Sequence, residues 1–196
     1  MRVDLDLIQG WVKPGARVLD LGCGDGALLH SLRENKGVDG LGIEIDAERI
    51  NQCLLLGVNV VEQDINQGLA NLKDDSFDVV VMAHSLQTLR KPRLAIAEML
   101  RVGRECVVTF PNFGHWHNRL QMNYLGRMPQ TKRLPYNWYD TPNIHFFTIQ
   151  DFEVLLQEMG VNVLDRQVLG VSGGSSKLVT LWPNLFADTA IYHISK

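Results

Sequence analysis

The chain has 196 residues, of which 45% are hydrophobic and 21% charged, and its formal net charge is −3. This length and balance are typical of one globular domain, and the charge gives no reason to expect a nucleic-acid or membrane-surface partner. The first residues contain no apolar signal core and no apolar run is long enough to span a bilayer, so we expect a cytoplasmic protein without membrane contact. Cys23, Cys53 and Cys106 are scattered along the chain, which predicts reduced thiols with neither disulfides nor a zinc site.

Short apolar runs alternate with helical periods through the first half of the chain. A short amphipathic helix is expected over Leu5–Val12, before the first strand. Alternation of strand and helix is typical of βαβ units, whose parallel sheet is covered by helices on both faces. The predicted strands are Arg17–Leu21, Gly40–Ile45, Val58–Gln63, Phe77–Ala83 and Glu105–Phe110, and the predicted helices are Ala27–Lys36, Ala47–Leu56 and Arg93–Leu100.

The alternation stops at residues 111–147, which we interpret as an insertion or lid within a single domain that spans residues 1–196. Long irregular segments inside compact domains are usually functional or mobile. Aromatic side chains are interleaved here with basic ones, a composition that suits a lid, an anionic-substrate pocket, a protein contact or single-stranded nucleic acid. The cations are Arg119, Arg127, Lys132 and Arg133, against the single acid Asp140.

The regular pattern returns after this segment. Thr148 and Asp151 form a predicted capping box for a helix that ends at Met159. Val161–Val168 and Lys177–Trp182 are predicted as two closing strands. We expect these two strands to form an antiparallel hairpin at the edge of the sheet.

The most informative residues are 18–26, where a buried strand runs into three glycines and a helix follows at once. Gly22, Gly24 and Gly26 are spaced by two, which brings a backbone close to a ligand and points a helix N-terminus at it. A phosphate-binding P-loop is disfavoured because no Lys-Ser/Thr pair follows Gly26. The spacing of Gly22, Gly24 and Ala27 formally fits a nicotinamide dinucleotide. The third ligand that uses such a turn is S-adenosylmethionine.

Acidic residues at the ends of three predicted strands favour S-adenosylmethionine. Asp20 precedes Gly22 by two residues, where a carboxylate repels a pyrophosphate and can hold an ammonium group. Glu44 ends the second strand, where it can accept hydrogen bonds from both ribose hydroxyls. Asp64 ends the third strand, where it can accept from an adenine amino group, and Ile65 can pack on the adenine face. Open α/β sheets bind their ligands at these carboxyl ends of the strands.

The run Asp-Leu-Gly-Cys-Gly-Asp-Gly, with Glu44, Asp64 and Phe77-Asp-Val-Val-Val, resembles class I S-adenosylmethionine-dependent methyltransferases. The resemblance implies a Rossmann-like α/β fold: a mostly parallel seven-stranded sheet with an antiparallel edge hairpin and helices on both faces. Ala83 and His84 would then lie beside the sulfonium of the cofactor. The residues expected to bind S-adenosylmethionine or S-adenosylhomocysteine are Asp20, Gly22, Cys23, Gly24, Gly26, Glu44, Ile45, Asp64, Ile65, Ala83 and His84.

The residues after the fourth predicted strand do not identify a methyl acceptor. Ala83-His84-Ser85-Leu86 contains neither the Asn/Asp-Pro-Pro-Tyr/Phe of adenine methylation nor the Pro-Cys loop of cytosine methylation, so nucleic acid is not expected as a partner. His84 is the best-placed candidate base, but a structural histidine is an equal alternative, so no catalytic residue is assigned. His115 and His117 flank Trp116 without further ligands nearby, and no metal is expected.

The insertion carries a more specific resemblance, to the MetW family of methionine biosynthesis proteins. The segments that carry it are Phe110-Pro-Asn-Phe-Gly-His-Trp, Gly126-Arg-Met-Pro and Leu134-Pro-Tyr-Asn-Trp-Tyr-Asp-Thr-Pro-Asn-Ile-His, together with the opening Asp-Leu-Asp-Leu-Ile. The resemblance implies a cytosolic bacterial protein that works with the homoserine O-acyltransferase MetX. It leaves open an accessory or regulatory protein, an active small-molecule methyltransferase, RNA methylation and nicotinamide oxidoreduction.

Overall fold

A computed structural model describes residues 3–131, 134–171 and 173–196 of the chain, so the predicted cations Lys132 and Arg133 lie outside the described residues. Seven strands form one sheet in the order β3-β2-β1-β4-β5-β7-β6. The strands β1 to β5 pair in parallel, and β7 pairs antiparallel with both β5 and β6. The predicted fold class is therefore confirmed. The strands are β1 (Arg17–Leu21), β2 (Asp39–Glu44), β3 (Asn59–Glu62), β4 (Phe77–Ala83), β5 (Gly103–Pro111), β6 (Asn162–Leu169) and β7 (Thr189–Ser195).

Helices connect the strands and cover the sheet. Short 3-10 turns follow β3 at Ile65–Gln67 and β4 at Leu86–Thr88. Thr148 and Asp151 form the predicted capping box at the start of α6. Among the described residues, no helix has the length and apolar character needed to cross a membrane. The helices are α1 (Val3–Trp11), α2 (Ala27–Lys36), α3 (Ala47–Leu55), α4 (Pro92–Val102), α5 (Trp116–Leu120), α6 (Ile149–Glu158), α7 (Lys177–Leu181) and α8 (Pro183–Phe186).

Alternate residues of the central strands pack on opposite faces of the sheet. Leu19 and Leu21 of β1 belong to an apolar cluster that includes buried side chains of α4 and α6. Val18 of the same strand points to the other face, where it belongs to a second apolar cluster with buried side chains of α1, α2 and α3. Because both faces are covered, these strands are apolar on both sides, as expected for a parallel sheet.

The prediction of the last strand is wrong. Lys177–Trp182 was expected to be extended, but Lys177–Leu181 forms helix α7, and the Ser176 hydroxyl accepts a hydrogen bond from the Val179 N–H at 3.4 Å. Within α7 only Val179 is buried, whereas Thr189 to Ile194 of β7 are all buried. Strand β7 lies between β5 and β6 with both faces covered, so its sequence lacks the polar–apolar alternation that marks a half-exposed strand.

The segment between β5 and α6 contains a helix that its composition did not predict. Helix α5 begins at Trp116 and continues into a π-helical turn over Gln121–Leu125. The Asn118 side chain is buried and donates hydrogen bonds to the carbonyls of Asn112 and Phe113, at 3.4 and 3.1 Å. This buried amide ties the helix to the end of β5.

Candidate functional site

The glycine turn between β1 and α2 combines close packing with one open position. Gly22, Gly24 and Gly26 are left-handed, with φ of 74°, 59° and 78°. A Cβ at Gly22 would lie 3.1 Å from the Ser85 Cβ, and a Cβ at Gly26 would lie 2.9 Å from the Cys53 Sγ. At Gly24, no atom of the described residues lies within 4 Å of that position. The turn therefore offers its bare backbone to a ligand at Gly24.

Glu44 holds this turn in place from the end of β2. Its carboxylate is buried, and one oxygen accepts a hydrogen bond from the Gly24 N–H at 2.9 Å. The other oxygen accepts from the N–H groups of Ile45 and Asp46, at 2.8 and 3.1 Å. A carboxylate has about four acceptor sites, so capacity remains for a ligand hydroxyl. Glu44 therefore already serves the backbone, and its contact with a ribose stays a prediction.

Acidic side chains lie beside the turn, and the Arg49 guanidinium lies 3.9 Å from an oxygen of Glu44. Asp20 lies at the end of β1 with only 2% of its surface exposed. Burial, with the nearby charges of Asp20 and Glu44, raises the pKa of the Cys23 thiol. Burial and the same carboxylates, together with Asp25, also raise the pKa of Cys53, whose Sγ is 3.8 Å from that of Cys23. Both thiols therefore stay protonated and unreactive, and the turn favours a cationic group over an anionic one.

Asp64 and Ile65 follow β3 as predicted, and the structure shows how each is held. The Asp64 carboxylate accepts hydrogen bonds from the backbone and side-chain nitrogens of Asn66, at 2.9 and 3.0 Å, and so caps the 3-10 turn. The Ile65 Cδ1 lies 4.0 Å from the Cβ position of Gly22. Ile65 thus reaches the glycine turn, whereas the contact of Asp64 with adenine stays a prediction.

A hydrogen bond joins the residues after β4 to the end of β1. The Ser85 hydroxyl donates a hydrogen bond to the Leu21 carbonyl at 3.0 Å. His84 is left-handed, with φ of 58°, and its N–H donates to both the carbonyl and the hydroxyl of Thr109, at 3.0 and 3.1 Å. A non-glycine residue in this region is strained, and such residues concentrate at functional sites. Through the contacts of Ser85, the end of β4 lies next to the glycine turn, whereas the position of Ala83 and His84 beside a sulfonium stays a prediction.

His84 also connects the site to helix α1. Its Nε2 lies 2.9 Å from an oxygen of Asp4, whose side chain is buried. Sequence reasoning missed Asp4, although an acid on the apolar face of a short helix is a recognisable signal because a buried carboxylate needs a partner. The pair fastens the first turn of α1 beside the carboxyl edge of the sheet.

Gln87 links the same edge to the segment that precedes α6. Its side-chain nitrogen donates a hydrogen bond to the His84 carbonyl at 2.6 Å. The backbone carbonyl of Gln87 accepts hydrogen bonds from the N–H groups of Ile144 and His145, both at 3.0 Å. The predicted insertion is thus bonded directly to the residues beside the glycine turn.

The remaining predicted residues fall into two groups. Ile45 is 59% exposed and adjoins Glu44, so it is free to cover a ligand. At His115 and His117, the His115 Nδ1 accepts a hydrogen bond from the His117 N–H at the start of α5, and burial lowers the His115 pKa. Among the described residues there is no group of three or more ligand-type side chains that could hold a metal ion.

A cavity of about 230 Å³ lies between the β4–α4 connection and α6. Aromatic side chains dominate its lining, and they come from the end of the segment before α6 and from α6 itself. The cavity is mainly apolar, although His145 and Asp151 also line it, and none of its lining residues belongs to the glycine turn. Its lining includes Leu86, Pro92, Phe146, Phe147, Phe152 and Leu155.

The three-glycine turn predicts a difference between two alanine substitutions. Both Gly26→Ala and Gly24→Ala place a side chain on a left-handed backbone, which costs about 1–2 kcal/mol. Only Gly26→Ala adds a collision, with Cys53, and we expect it to lower the free energy of unfolding by about 1 kcal/mol more. Urea unfolding of both variants measures this, and equal losses contradict the packing described for Gly26.

The His84–Asp4 pair predicts non-additive stability effects. A hydrogen bond to a charged group contributes about 1.5–3 kcal/mol, so His84→Ala and Asp4→Ala each lower the free energy of unfolding by at least about this amount. The double variant should lose little more than either single variant, because each substitution already removes the same contact. A double-mutant cycle by denaturant unfolding measures the coupling, and strictly additive losses would show that the pair is not formed.

Comparison with solved structures shows a methyltransferase fold. An S-adenosylmethionine dependent methyltransferase from Mesorhizobium loti superposes with a TM-score of 0.72 at 15% identity, covering 99% of this chain and 98% of that one. A SAM dependent methyltransferase from Archaeoglobus fulgidus gives a TM-score of 0.69 at 17% identity, covering 98% of this chain and 94% of that one. At these identities the likeness establishes the fold alone.

Sequence comparison identifies the family. A protein of Rhodopirellula baltica named bifunctional methionine biosynthesis protein MetXA/MetW is 35% identical over 203 residues, covering 97% of this chain and 32% of that protein. The chain thus spans about a third of the length of that relative. The family model described as methionine biosynthesis protein MetW matches residues 2–194. The chain belongs to the MetW family of methionine biosynthesis proteins.

Proposed function

We propose that the chain binds S-adenosylmethionine or S-adenosylhomocysteine at the glycine turn and acts with the homoserine O-acyltransferase MetX in methionine biosynthesis. The observation that carries the ligand assignment is the pair of buried carboxylates, Asp20 and Glu44, beside the open backbone of Gly24. A diphosphate would meet repulsion here, whereas the ammonium and sulfonium of S-adenosylmethionine are cations. The structural relatives named above as S-adenosylmethionine-dependent support the same assignment.

Each element of the site has a role in this proposal. The turn from Gly22 to Gly26, including Cys23, approaches the methionine part, and Asp20 holds its ammonium group. Glu44 accepts from the ribose hydroxyls with its remaining acceptor capacity, and Ile45 covers the sugar. Asp64 and Ile65 receive the adenine. Ala83 and His84 lie beside the sulfonium, which is the group that supplies a methyl when the cofactor reacts.

The proposed partner follows from the family. In the relative named MetXA/MetW, one chain contains both parts, and the part that matches this chain is about a third of it. A fusion holds two proteins at high effective concentration, which is an advantage when they work in contact. The hydrogen bonds of Gln87 give a physical route between the cofactor edge and the insertion or lid of residues 111–147. We place this work in the cytoplasm, a reducing compartment that suits the three free cysteines.

A second candidate is methyl transfer to a small molecule, and one observation favours it. The Nε2 of His84 is held by Asp4, and the described contacts leave its Nδ1 without a bonded partner. An imidazole oriented in this way by a carboxylate can take a proton at the other ring nitrogen. In that role Nδ1 would remove the proton of the methyl acceptor.

The ligand proposal predicts selective binding that depends on the carboxylates. Isothermal titration calorimetry with S-adenosylmethionine and S-adenosylhomocysteine should show binding, while NAD should show none. Glu44→Gln should weaken binding at least tenfold, because the amide nitrogen faces the Gly24 N–H and the turn loses an acceptor.

The matched control for this experiment is Asp39→Asn. Asp39 is an exposed acid at the amino end of β2, at the opposite edge of the sheet from Glu44. It should leave the affinity unchanged. Binding of NAD in preference to both adenosyl compounds would reject the proposed ligand.

The partner proposal predicts an effect on acyl transfer. Purified homoserine O-acyltransferase should copurify with the chain, and its rate of acyl transfer to homoserine should change when the chain is added, with a further change when S-adenosylmethionine is present. The absence of both a complex and a rate change would reject the partnership.

The second function, methyl transfer, is tested by incubating the chain with S-adenosylmethionine and candidate acceptors and measuring S-adenosylhomocysteine. Formation of this product by the wild type and its loss in His84→Ala would favour methyl transfer.

A further inference from the structure

We propose that one face of α5 and its π-helical continuation is the surface that binds the acyltransferase subunit, an inference that rests on the proposed function. This surface, here called the α5 face, consists of Trp116, Leu120, Tyr124 and Leu125. It lies within the segment between β5 and α6.

The α5 face is apolar and exposed. Tyr124 is 82% exposed and Leu125 is 66% exposed, and Trp116 and Leu120 are each about two-fifths exposed. Trp116, Leu120 and Tyr124 are four residues apart, a spacing that places side chains along the same side of a helix. A contiguous exposed stripe of Trp, Leu and Tyr is typical of a protein contact, in which aromatic residues supply much of the binding energy.

The helix that carries this face is held rigidly from beneath. His115 caps its first turn, and the buried Asn118 bonds to the end of β5. Gln121 exchanges hydrogen bonds with the backbone of Gln130, at 3.3 and 3.1 Å. A surface that is already ordered loses little conformational entropy on binding, which favours affinity.

The charge around the α5 face indicates the chemistry of its partner. Among the described residues of 112–145, the cations are Arg119 and Arg127 and the acid is Asp140, although the whole chain has a net charge of −3. Arg127, two residues beyond the π-helical turn, is exposed, and its guanidinium has no bonded partner within the part of the chain that the structure describes. The complementary surface therefore has an apolar centre with carboxylates at its rim.

The occupant proposed here is the acyltransferase because of the single-chain relative. There, the part that matches this chain is joined to a longer part, and the name of the protein assigns that part to MetXA. When the two parts are separate chains, their association depends on surface complementarity alone. The α5 face combines exposure and order with the neighbouring cation Arg127, and its segment is bonded to Gln87, at the proposed cofactor edge, through the N–H groups of Ile144 and His145.

The test uses the full chain and the homoserine O-acyltransferase of the same organism. The variants Leu125→Asp and Tyr124→Asp introduce a charge into the α5 face, and Leu55→Asp introduces the same charge on α3, where Leu55 is 87% exposed. All three positions are exposed, so the thermal unfolding midpoints should match that of the wild type. Calorimetric titration should show at least tenfold weaker binding of the acyltransferase for the two α5 variants and unchanged binding for Leu55→Asp.

A substitution of Arg127, next to the α5 face, provides a second measurement, the rate of association. Arg127→Glu should slow association and reduce its dependence on salt, because the removed cation steers an acidic partner. Both effects are measured by stopped-flow mixing of the two proteins at several salt concentrations.

The possible outcomes separate the α5 face from the proposed function. If the wild type binds the acyltransferase and the α5 variants bind equally well, the α5 face is not the binding surface, although the proposed partnership is retained. If the wild type does not bind, the partnership fails and the surface proposal fails with it. If the chain self-associates in sedimentation and Leu125→Asp abolishes this, the occupant is a second copy, which overturns the proposal.

Discussion

The hydrogen bonds of one buried carboxylate determine the shape of the whole candidate site. Glu44 accepts from the Gly24 N–H with one oxygen and from the Ile45 and Asp46 N–H groups with the other. These bonds join the β1–α2 turn to the β2–α3 turn, so the two loops keep a fixed relative position before any ligand arrives. A neutral side chain of the same size would leave at least one of these N–H groups without a good acceptor in the protein.

Further hydrogen bonds join other parts of the chain along the carboxyl edge of the sheet. Ser85 bonds to the end of β1, Thr109 of β5 holds His84 in its left-handed conformation, and Asp4 brings α1 to the ring of His84. Four separate parts of the chain are thereby fastened to one another around the glycine turn. The polar groups at this edge are ordered by protein contacts, so a ligand would not have to organise them, which lowers the entropy lost on binding.

The parts of this arrangement that sequence could predict are those encoded locally. Glycines at Gly22, Gly24 and Gly26 next to an apolar run specify a strand, a turn and a helix, and all three are present. The His84–Asp4 contact joins residues that are 80 positions apart, and only the folded sheet brings them together. Strand β7 was missed because it is buried on both faces, and α7 was misassigned because Val-Thr-Leu-Trp has high strand propensity although Ser176 caps a helix there.

The position of β7 has a consequence for how the protein reaches this state during synthesis. Translation delivers β5 and β6 well before β7, yet β7 lies between them in the finished sheet. The emerging polypeptide therefore displays an unpaired β5 edge until Thr189–Ser195 has left the ribosome. Unpaired strand edges pair readily with other chains, so the interval before β7 emerges is the one in which this chain is most open to misassembly.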